Sequence, residues 1–541
     1  MSQFDYIVVG AGSSGATLAA RLSESGAHRV LLLEAGTEGS GYFWSRIPVG
    51  VSKMIDRPAV NWCFSSEPEE ASAGRRIEVP RGKMLGGSSS INGMVYIRGQ
   101  AQDYDHWAQL GNRGWSWQDV LPVYKRLENY DGGSGALRGR GGPLRITDTP
   151  RHKVPLLEKM IEAAGRIGLP FNADLNGATQ EGIGMSQVTI AKGRRQSTAY
   201  CYLDPARGRQ NLVIEQGAMA QTLILEGKKC VGVRYAVNGQ RREARAAREV
   251  IVSSGSINSP KLLELSGIGQ PAHLQSVGVA PVHELKGVGE NLRDHYSPRV
   301  RFAITGRNLT FNENARGWRG AREAIRYALW GEGFLASTAV PIRLYFRTRP
   351  GLETPDATIS IAPFLYERIG RERRIAKRSG ITMNVNVLRS ESTGSIHIKS
   401  ADPAEAPAIR FNFLSARADR DGVLAAIRKG RELMATSPLK EITGEEIAPG
   451  AARQTDEEIL DWVRNTAETT YHPVGTCKMG NDPMAVVDPE LRVHGIEGLR
   501  VADASIMPTL TSGNTNAPCI MIGEKCAAMV LEAADPARKA A

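Results

Sequence analysis

The 541-residue sequence lacks several features that mark special classes of protein. It contains no run of about 20 apolar residues, so it predicts no membrane-spanning helix. Its six cysteines form no Cys-x-x-Cys pair, which argues against a dithiol or metal site, and we predict no bound metal. No charged and apolar leader precedes the first apolar strand at Phe4, so the sequence predicts no secretory signal and a cytoplasmic location.

Acidic residues are outnumbered, with 57 Asp and Glu against 68 Lys and Arg, and the net charge is +11. The basic residues are scattered except for patches such as residues 371–378. A basic protein can attract nucleic acid or an anionic membrane surface. Because the sequence contains no nucleic-acid-binding motif, we predict no nucleic-acid partner and keep peripheral association with a membrane as an alternative.

The N-terminal stretch predicts a dinucleotide-binding unit. A short apolar run predicts a buried parallel strand, and Gly10, Gly12 and Gly15 follow it in the G-x-G-x-x-G spacing. These glycines permit a tight turn, backbone approach to a pyrophosphate and close packing of helix on strand. A helix from about Ser14 directs its N-terminus at that phosphate. Glu34, at the end of the next strand, can accept hydrogen bonds from a ribose diol. NAD and FAD share this ADP half, so the unit alone does not separate them.

Three further segments contain distinctive sequence patterns. The segment Gly82-Lys83-x-Leu85-Gly86-Gly87-Ser88-Ser89-x-Ile91-Asn92 exposes backbone N–H groups and small hydroxyls that can lie flat against a ligand. Residues 248–269 are typical of a buried strand, a glycine turn and a helix. Near the C-terminus, residues 470–480 contain the sequence His-Pro-Val-Gly-Thr.

These segments resemble the signatures of the glucose–methanol–choline (GMC) oxidoreductases, and the resemblance extends over about residues 4–532. It implies that the N-terminal unit binds FAD rather than NAD. It also implies an FAD-dependent alcohol dehydrogenase that is similar to choline dehydrogenases.

The resemblance implies an α/β fold in two parts. One part is a Rossmann-like FAD-binding domain, and the other is a discontinuous α+β substrate-binding domain that contains an antiparallel sheet. We expect the FAD-binding domain to comprise residues 1–155, 190–298 and 466–541, and the substrate-binding domain to comprise residues 156–189 and 299–465.

The resemblance also implies a set of FAD contacts. Some family members link FAD covalently through a histidine in the second glycine segment, where this sequence has Ile91, so we expect non-covalent FAD. The expected cofactor-binding residues are Gly10, Gly12, Ser13, Ser14, Gly15, Glu34, Ala35, Met84, Gly86, Gly87, Ser88, Asn92, Gly93, Met94, Val95, Ala220, Gly255, Tyr471, Asp503, Ala504, Asn514, Thr515 and Asn516.

Oxidation of an alcohol removes a hydroxyl proton and a carbon-bound hydride, which flavin N5 accepts, so the protein must supply a base. Composition does not choose among the nine histidines, but the family resemblance implies that His472 is the base. The family's second catalytic residue is histidine or asparagine, and the match here is Asn516. Asparagine is no base near neutral pH, so His472 would move the proton alone and Asn516 would orient the hydroxyl and stabilise the alkoxide.

The predicted reaction is therefore oxidation of a primary alcohol to an aldehyde. One alternative is an oxygen-using, peroxide-forming oxidase of an aryl, furfuryl or similar alcohol, and another is a non-redox lyase on the same fold. The sequence identifies neither the alcohol nor the electron acceptor, which can be a quinone, another carrier or oxygen. It does not predict an oligomeric state.

Overall fold

Two sheets, one largely parallel and one antiparallel, form the centre of the protein in this computed structural model, which describes residues 3–150, 154, 156–369 and 372–534. Arg371 of the basic patch and the outermost residues of the expected FAD-binding domain lie outside the described residues. The strands of the two sheets are, in chain order, β1 Gln3–Val9, β2 Val30–Glu34, β3 Gly182–Met185, β4 Leu212–Gln216, β5 Ala218–Glu226, β6 Lys229–Val237, β7 Gln240–Val252, β8 Arg299–Ile304, β9 Ile342–Phe346, β10 Ala357–Ala362, β11 Gly380–Val387, β12 Thr443–Ala448 and β13 Leu499–Val501.

The helices and the short strands connect these sheets. The helices are α1 Ser13–Leu22, α2 Phe43–Arg46, α3 Ala101–Gln109, α4 Trp117–Leu127, α5 Leu157–Arg166, α6 Asp204–Ala206, α7 Gly255–Leu265, α8 Pro271–Ser276, α9 Phe311–Asn314, α10 Gly317–Trp330, α11 Arg417–Met434, α12 Asp456–Thr466 and α13 Asn516–Ala534. Short paired strands are Phe64–Ser65 with Glu78–Val79, Glu128–Asn129 with Leu144–Arg145, Thr147–Asp148 with Gln187–Val188, Ile190–Ala191 with Arg194–Arg195, Ile268–Gly269 with His283–Glu284, Tyr296–Ser297 with Glu468–Thr469, Tyr366–Ile369 with Glu372–Ile375, and Ser395–His397 with Ala408–Arg410. Within the described ranges, no helix combines the length and apolarity that crossing a membrane requires.

The first sheet has the order β4-β2-β1-β7-β6-β5, with β13 beside β7. Strands β4, β2, β1, β7 and β13 are parallel, and β5 and β6 join as antiparallel neighbours. All five residues of β2 are buried, which fits a strand covered on both faces. The carboxyl ends of β1, β2 and β7 meet at one edge, where α/β sheets bind their ligands.

Helices α1 and α13 pack against each other beside this sheet. Gly523 of α13 makes the contact possible, since a Cβ at this position would lie 2.5 Å from the Ser14 carbonyl oxygen. The N-terminus of α1 and the start of α13 are thereby held at the same edge of the sheet.

The second sheet is antiparallel throughout, in the order β12-β8-β11-β10-β9-β3, which confirms the antiparallel sheet predicted for the substrate-binding part. Its apolar face packs on α11, where Gly430 lies against Ile359 and Met383. Its other face carries a row of polar residues, one from each of four neighbouring strands: Arg343, Ser360, Asn384 and Arg299. We call these four residues the polar row.

Strand β3 belongs to the edge of the second sheet although it precedes β4 to β7 of the first sheet in the chain. The chain therefore leaves the part built on the first sheet, contributes one strand to the second sheet and returns. The exact domain boundaries stay a prediction.

A partly buried histidine joins α7 to the segment that leaves the part built on the first sheet. His397 Nδ1 lies 2.7 Å from Glu264 Oε1, and its Nε2 lies 3.1 Å from Glu290 Oε1. Burial lowers the pKa of His397, but the two carboxylates outweigh burial and raise it to about 9. His273 lies alongside and donates from Nε2 to the Ile398 carbonyl at 3.1 Å.

We predict that replacing His397 with glutamine destabilises the protein more at pH 6 than at pH 10. The pKa of His397 is higher in the folded chain than its ordinary value of 6.5, so its charge stabilises the fold fully below pH 6.5 and this stabilisation is lost as pH rises through about 9. The deficit in Tm should be roughly 3 °C at pH 6 and smaller at pH 10. Thermal unfolding at both pH values, with exposed His106→Gln as the control, measures it. A deficit that is the same at both pH values would contradict the prediction.

Candidate active site

A continuous cavity of about 510 Å³ lies between the ligand-binding edge of the first sheet and the polar row of the second. Most of the residues expected at the cofactor or the substrate line it. These are Gly10, Gly12, Ser13, Ser14, Glu34, Ala35, Gly87, Ser88, Asn92, Gly93, Met94, Val95, Ala220, Gly255, Tyr471, His472, Asp503, Ala504, Asn514, Thr515 and Asn516.

The turn between β1 and α1 forms one end of the cavity. Gly10 has φ +100°, and a Cβ there would lie 2.6 Å from the Ser253 carbonyl oxygen, so only glycine fits. No side chain caps the N-terminus of α1 at Gly12, which leaves its N–H groups directed at the cavity. Glu34 accepts hydrogen bonds from the backbone N–H groups of Ala11 at 3.0 Å and Gly36 at 2.8 Å, and burial raises its pKa to about 7.

Three of the expected cofactor-binding residues do not line the cavity, and each supports it from behind. Gly15 packs so closely on the Gly10 carbonyl oxygen that a Cβ would lie 1.9 Å away. The N–H of Gly86 donates to the Ala11 carbonyl at 2.8 Å, which ties the two glycine segments together. Met84 is fully buried in a small apolar cluster.

The cavity offers a dinucleotide cofactor open backbone and an unpaired hydrogen-bond acceptor. At Gly93 and Gly255, a Cβ would meet no atom within 4 Å, so bare backbone faces open space at both positions. The side-chain oxygen Oδ1 of Asn258 is buried at the cavity without a hydrogen-bond partner among the described residues. Asp503 is occupied locally, since it accepts from the N–H groups of Gly255 and Ser505, both at 2.8 Å, and thereby holds the Gly255 turn.

A buried aspartate positions both histidines at the other end of the cavity. Asp294 Oδ1 accepts hydrogen bonds from the backbone N–H of His295 at 2.7 Å and of His472 at 2.9 Å, while Oδ2 accepts from the Thr469 hydroxyl. Burial raises the pKa of Asp294 to about 6. Tyr471, directly before His472, has φ +70°, a strained conformation for a bulky residue. One carboxylate therefore fixes the backbone of the two residues that carry the imidazole rings.

The side chains of the two histidines form part of a hydrogen-bonded chain. His295 Nε2 lies 2.8 Å from the Leu388 carbonyl oxygen, and its Nδ1 lies 3.0 Å from His472 Nδ1. His472 Nε2 lies 2.9 Å from Asn514 Nδ2, and Asn514 Oδ1 lies 2.7 Å from Arg343 Nη2. The Thr470 hydroxyl also lies 2.8 Å from His472 Nδ1.

Both histidines of this chain are neutral at pH 7. Burial, together with the neighbouring His295, Arg81 and Arg343, holds the pKa of His472 well below its ordinary value. Burial also lowers the pKa of His295 to about 4. Each ring therefore has one N–H and one lone pair to place.

The groups at the two ends of the hydrogen-bonded chain determine which nitrogen of each histidine carries the proton. The Leu388 carbonyl can only accept, so His295 carries its proton on Nε2 and has a lone pair on Nδ1. His472 must then carry its proton on Nδ1, because two facing lone pairs 3.0 Å apart would repel each other. Its lone pair lies on Nε2. The guanidinium of Arg343 can only donate, so Asn514 Oδ1 faces it and Nδ2 faces His472.

In the structure Asn514, and not Asn516, contacts His472, which differs from the expected pairing. Asn514 lies in the bend before α13, whereas Asn516 is the first residue of that helix. The Asn516 side chain accepts a hydrogen bond from the Ser13 hydroxyl at 2.8 Å, at the N-terminus of α1. Asn516 therefore lines the end of the cavity formed by the turn between β1 and α1, and Asn514 lines the end that contains His472.

Comparison with known proteins identifies the family. A family model described as GMC oxidoreductase matches residues 4–297, and a second one of the same description matches residues 390–523. The chain belongs to the GMC oxidoreductase family. This confirms the resemblance on which the expected fold, the FAD cofactor and the oxidoreductase activity were based.

Individual GMC relatives match almost the whole chain. The oxygen-dependent choline dehydrogenase of Brucella suis biovar 1 (strain 1330) is 42% identical over 529 residues, which are 97% of this chain and 95% of the relative. The crystal structure of pyridoxine 4-oxidase from Mesorbium loti has a TM-score of 0.85 at 29% identity and covers 97% of this chain and 98% of its own. An FAD-dependent oxidoreductase from Chaetomium thermophilum has a TM-score of 0.89 at 25% identity, covering 99% of this chain and 100% of its own. The protein is an FAD-dependent GMC oxidoreductase.

Two groups of site residues were not predicted from the sequence. His295 is part of a segment that resembles the family, but nothing local shows that its ring reaches His472. The polar row was signalled by the alternation of polar and apolar residues around Ser360 and Asn384, which is typical of a strand with two different faces. That alternation does not tell which face lies over the cavity.

We predict that replacing His295 with phenylalanine slows flavin reduction by about 10- to 1,000-fold, because the acceptor that keeps the proton on His472 Nδ1 is lost. Glutamine at this position, which retains an acceptor oxygen, should restore part of the rate. His295 is also one of the groups that depress the pKa of His472, so the acid limb of the pH–rate profile should move to higher pH in the phenylalanine variant. Rates and pH profile equal to wild type, with FAD bound, would show that His295 does not position the base.

Proposed function

We propose that the protein oxidises a primary alcohol to an aldehyde, with His472 as the base that takes the hydroxyl proton. The observation that supports this most strongly is the directed hydrogen-bonded chain, which places the lone pair of a neutral His472 on Nε2 at the cavity. This lone pair accepts from the Asn514 amide, so the alcohol hydroxyl takes the place of that amide at Nε2 before its proton is transferred. FAD, when bound, supplies the acceptor for the hydride that leaves the carbinol carbon.

The side chains around His472 suit that proton transfer. The Asn514 amide, held by Arg343, directs its N–H at the point where His472 Nε2 meets the cavity, so it can stabilise the negative charge that develops on the alcohol oxygen. Proton transfer to Nε2 leaves the proton on Nδ1 in place, where His295 and Thr470 accept it. The low pKa of His472 favours release of the acquired proton after the reaction.

Product analysis tests the proposed reaction. The purified holoenzyme should form one aldehyde for each two electrons that reach an added acceptor. Parallel reactions with oxygen, a quinone and an artificial dye measure which acceptor the reduced enzyme prefers. Formation of an aldehyde and cyanide from a hydroxynitrile, with no acceptor consumed, would instead identify a lyase.

We also propose that FAD is held without a covalent bond. Ile91, at the place where some relatives carry a linking histidine, lines the cavity and offers no nucleophile. Acid denaturation should release all of the flavin into the supernatant. Flavin that remains with the precipitated protein would contradict this proposal.

Helix α10 supports a proposal of peripheral membrane association. The side chains of Trp318, Ile325 and Leu329 are 69%, 57% and 67% exposed and follow a helical spacing of seven and four residues. Arg322 lies on the same face, with its guanidinium 5.3 Å from the ring centre of Trp318. Exposed apolar residues beside arginines are typical of a helix that lies in the headgroup region of an anionic membrane. The chain continues from α10 to Val340 at the cavity, so this surface lies close along the chain to the site.

We predict that the protein sediments with vesicles that contain phosphatidylglycerol more than with vesicles of phosphatidylcholine alone. Replacing both Trp318 and Leu329 with serine should reduce the bound fraction at least about 10-fold, because the apolar face is lost. Leu110→Ser, which alters an exposed leucine at the end of α3, is the control. Equal binding of all variants, or a change of oligomeric state instead of vesicle binding, would contradict the proposal.

A further inference from the structure

A buried arginine faces the catalytic end of the cavity without an acidic partner. Arg343 on β9 is 5% exposed and lines the cavity. Its Nη1 donates to the Tyr345 hydroxyl at 2.8 Å and its Nη2 to Asn514 Oδ1 at 2.7 Å. Its Nε has no hydrogen-bond partner among the described residues, and within the same ranges no carboxylate lies within ion-pair distance of the guanidinium. Two of its five N–H bonds are therefore used, and the other three have no partner among the described residues.

The other charged residues of the cavity do not balance this charge. Arg299, at the far end of the polar row, is paired with Glu468 at 2.6 Å. Glu34 and Asp503 lie at the nucleotide end, where backbone N–H groups already hold their carboxylates. At the end with His472, the Asp294 carboxylate accepts from the N–H groups of His295 and His472, and its charged neighbour is Arg81, so it is not a counterion of Arg343.

A buried guanidinium without a counterion is unfavourable, and it does not relieve the charge by losing its proton, because arginine stays protonated in proteins. Its planar donors match the two oxygens of a carboxylate better than an ammonium group would. Such a group is prepared for an anion that arrives with the substrate.

We propose that Arg343 binds a carboxylate carried by the alcohol that this site oxidises, so that the substrate is a hydroxy acid. This inference rests on the proposed function. Only the Asn514 amide lies between Arg343 and His472 Nε2, with hydrogen bonds of 2.7 and 2.9 Å on its two sides. The carboxylate and the reacting hydroxyl are therefore close together, which fits a short hydroxy acid such as 3-hydroxypropanoate or 4-hydroxybutanoate.

The same arrangement disfavours a substrate with a positive charge. A quaternary ammonium is bound by a carboxylate or by aromatic faces. The Trp62 ring, which lines the cavity, already has the Lys83 ammonium 4.9 Å from its centre. We therefore expect choline, the substrate named for the 42% identical relatives, to be oxidised poorly by this protein.

Matched substrate pairs test the inference on the FAD-bound enzyme. Each hydroxy acid is paired with its amide, which has the same shape and no charge, and kcat/KM is measured as anaerobic flavin reduction. Wild type should prefer the acid, and Arg343→Met should lower the acid-to-amide ratio about 10- to 100-fold, with Arg343→Lys between them. Arg347→Gln, which alters an exposed arginine paired with Glu181 just after β9, should leave the ratio unchanged.

Binding of butanoate, which cannot be oxidised, gives a readout independent of turnover. Butanoate should perturb the visible flavin spectrum of the wild type, and its Kd should weaken at least 10-fold in Arg343→Met. If the wild type prefers the amides, the inference is wrong. It is also wrong if Arg343→Met lowers kcat/KM for each acid and for its amide by the same factor, because Arg343 then only holds Asn514. If no alcohol reduces the flavin but butanoate binds through Arg343, the proposed oxidation fails and the anion site stands. If Arg343→Met does not fold, the acid-to-amide ratios of the wild type and of Arg343→Lys test the inference.

Discussion

Replacing His472 with alanine is expected to lower the rate of flavin reduction by an alcohol by about 10²- to 10⁴-fold, the usual contribution of a general base. Of the other residues in the hydrogen-bonded chain, Asn514 is not a base, and the lone pair of His295 lies on Nδ1, where it faces His472 Nδ1 and not the position of Nε2. Stopped-flow spectroscopy of the anaerobic holoenzyme measures this rate directly.

The control for this experiment is His106→Ala, an exposed histidine on α3. The flavin content of all variants must be equal, because the His472 side chain lines the same cavity as the cofactor-binding residues. A His472→Ala variant that binds FAD and is reduced at nearly the wild-type rate would remove His472 from the mechanism.

The second large effect concerns the two asparagines near the start of α13. Asn514→Ala is expected to slow flavin reduction by about 10²- to 10³-fold, since the amide donor that faces His472 and the alcohol oxygen is lost. Asn516→Ala should leave the rate of reduction nearly unchanged and weaken FAD binding, because its side chain contacts Ser13 at the N-terminus of α1.

Stopped-flow reduction and a flavin-binding titration of the same two variants separate these roles. An Asn514→Asp variant adds a sharper comparison, since a carboxylate still accepts from Arg343 but has no N–H for His472. If Asn516→Ala abolished reduction with FAD bound while Asn514→Ala did not, the pairing implied by the family resemblance would be right in function and the observed contact would be incidental.

The nucleotide end of the site could be predicted from the sequence because its determinants are local. The turn at Gly10 and the acid at Glu34 lie within one strand–helix–strand unit, and the backbone geometry of that unit is fixed by its glycines. The family resemblance extended the prediction to the segment that contains His472. The confirmed fold class and cofactor follow from these patterns.

The choice between Asn514 and Asn516 could not be made from local spacing. Both follow Gly513, which has φ +156° and packs on Ile97, and the chain turns sharply there before α13 begins. A change of backbone direction between two nearby residues decides which side chain faces the histidine. The sequence contains the residues but not the direction of that turn.

The directions of the hydrogen bonds around His472 also depend on groups that are far apart in the amino-acid sequence. The Arg343 guanidinium comes from β9, the Leu388 carbonyl directly follows β11, and His295 comes from the segment that leaves the FAD-binding part. Each is ordinary in its own sequence context. Only the packing of the second sheet over the first brings these groups into one hydrogen-bonded chain with His472.

Anaerobic bleaching of the bound flavin near 450 nm, roughly where oxidised flavins absorb, shows whether this cavity oxidises an alcohol. The panel contains hydroxy acids, their amides, alkanols, benzyl and furfuryl alcohols, glycols, sorbose and choline, and air is admitted after each reaction. We predict bleaching by at least one class of alcohol, with the short hydroxy acids most effective. If the FAD-bound protein is bleached by none of these alcohols, although dithionite reduces it fully, the account of the site as an alcohol-oxidising centre is contradicted.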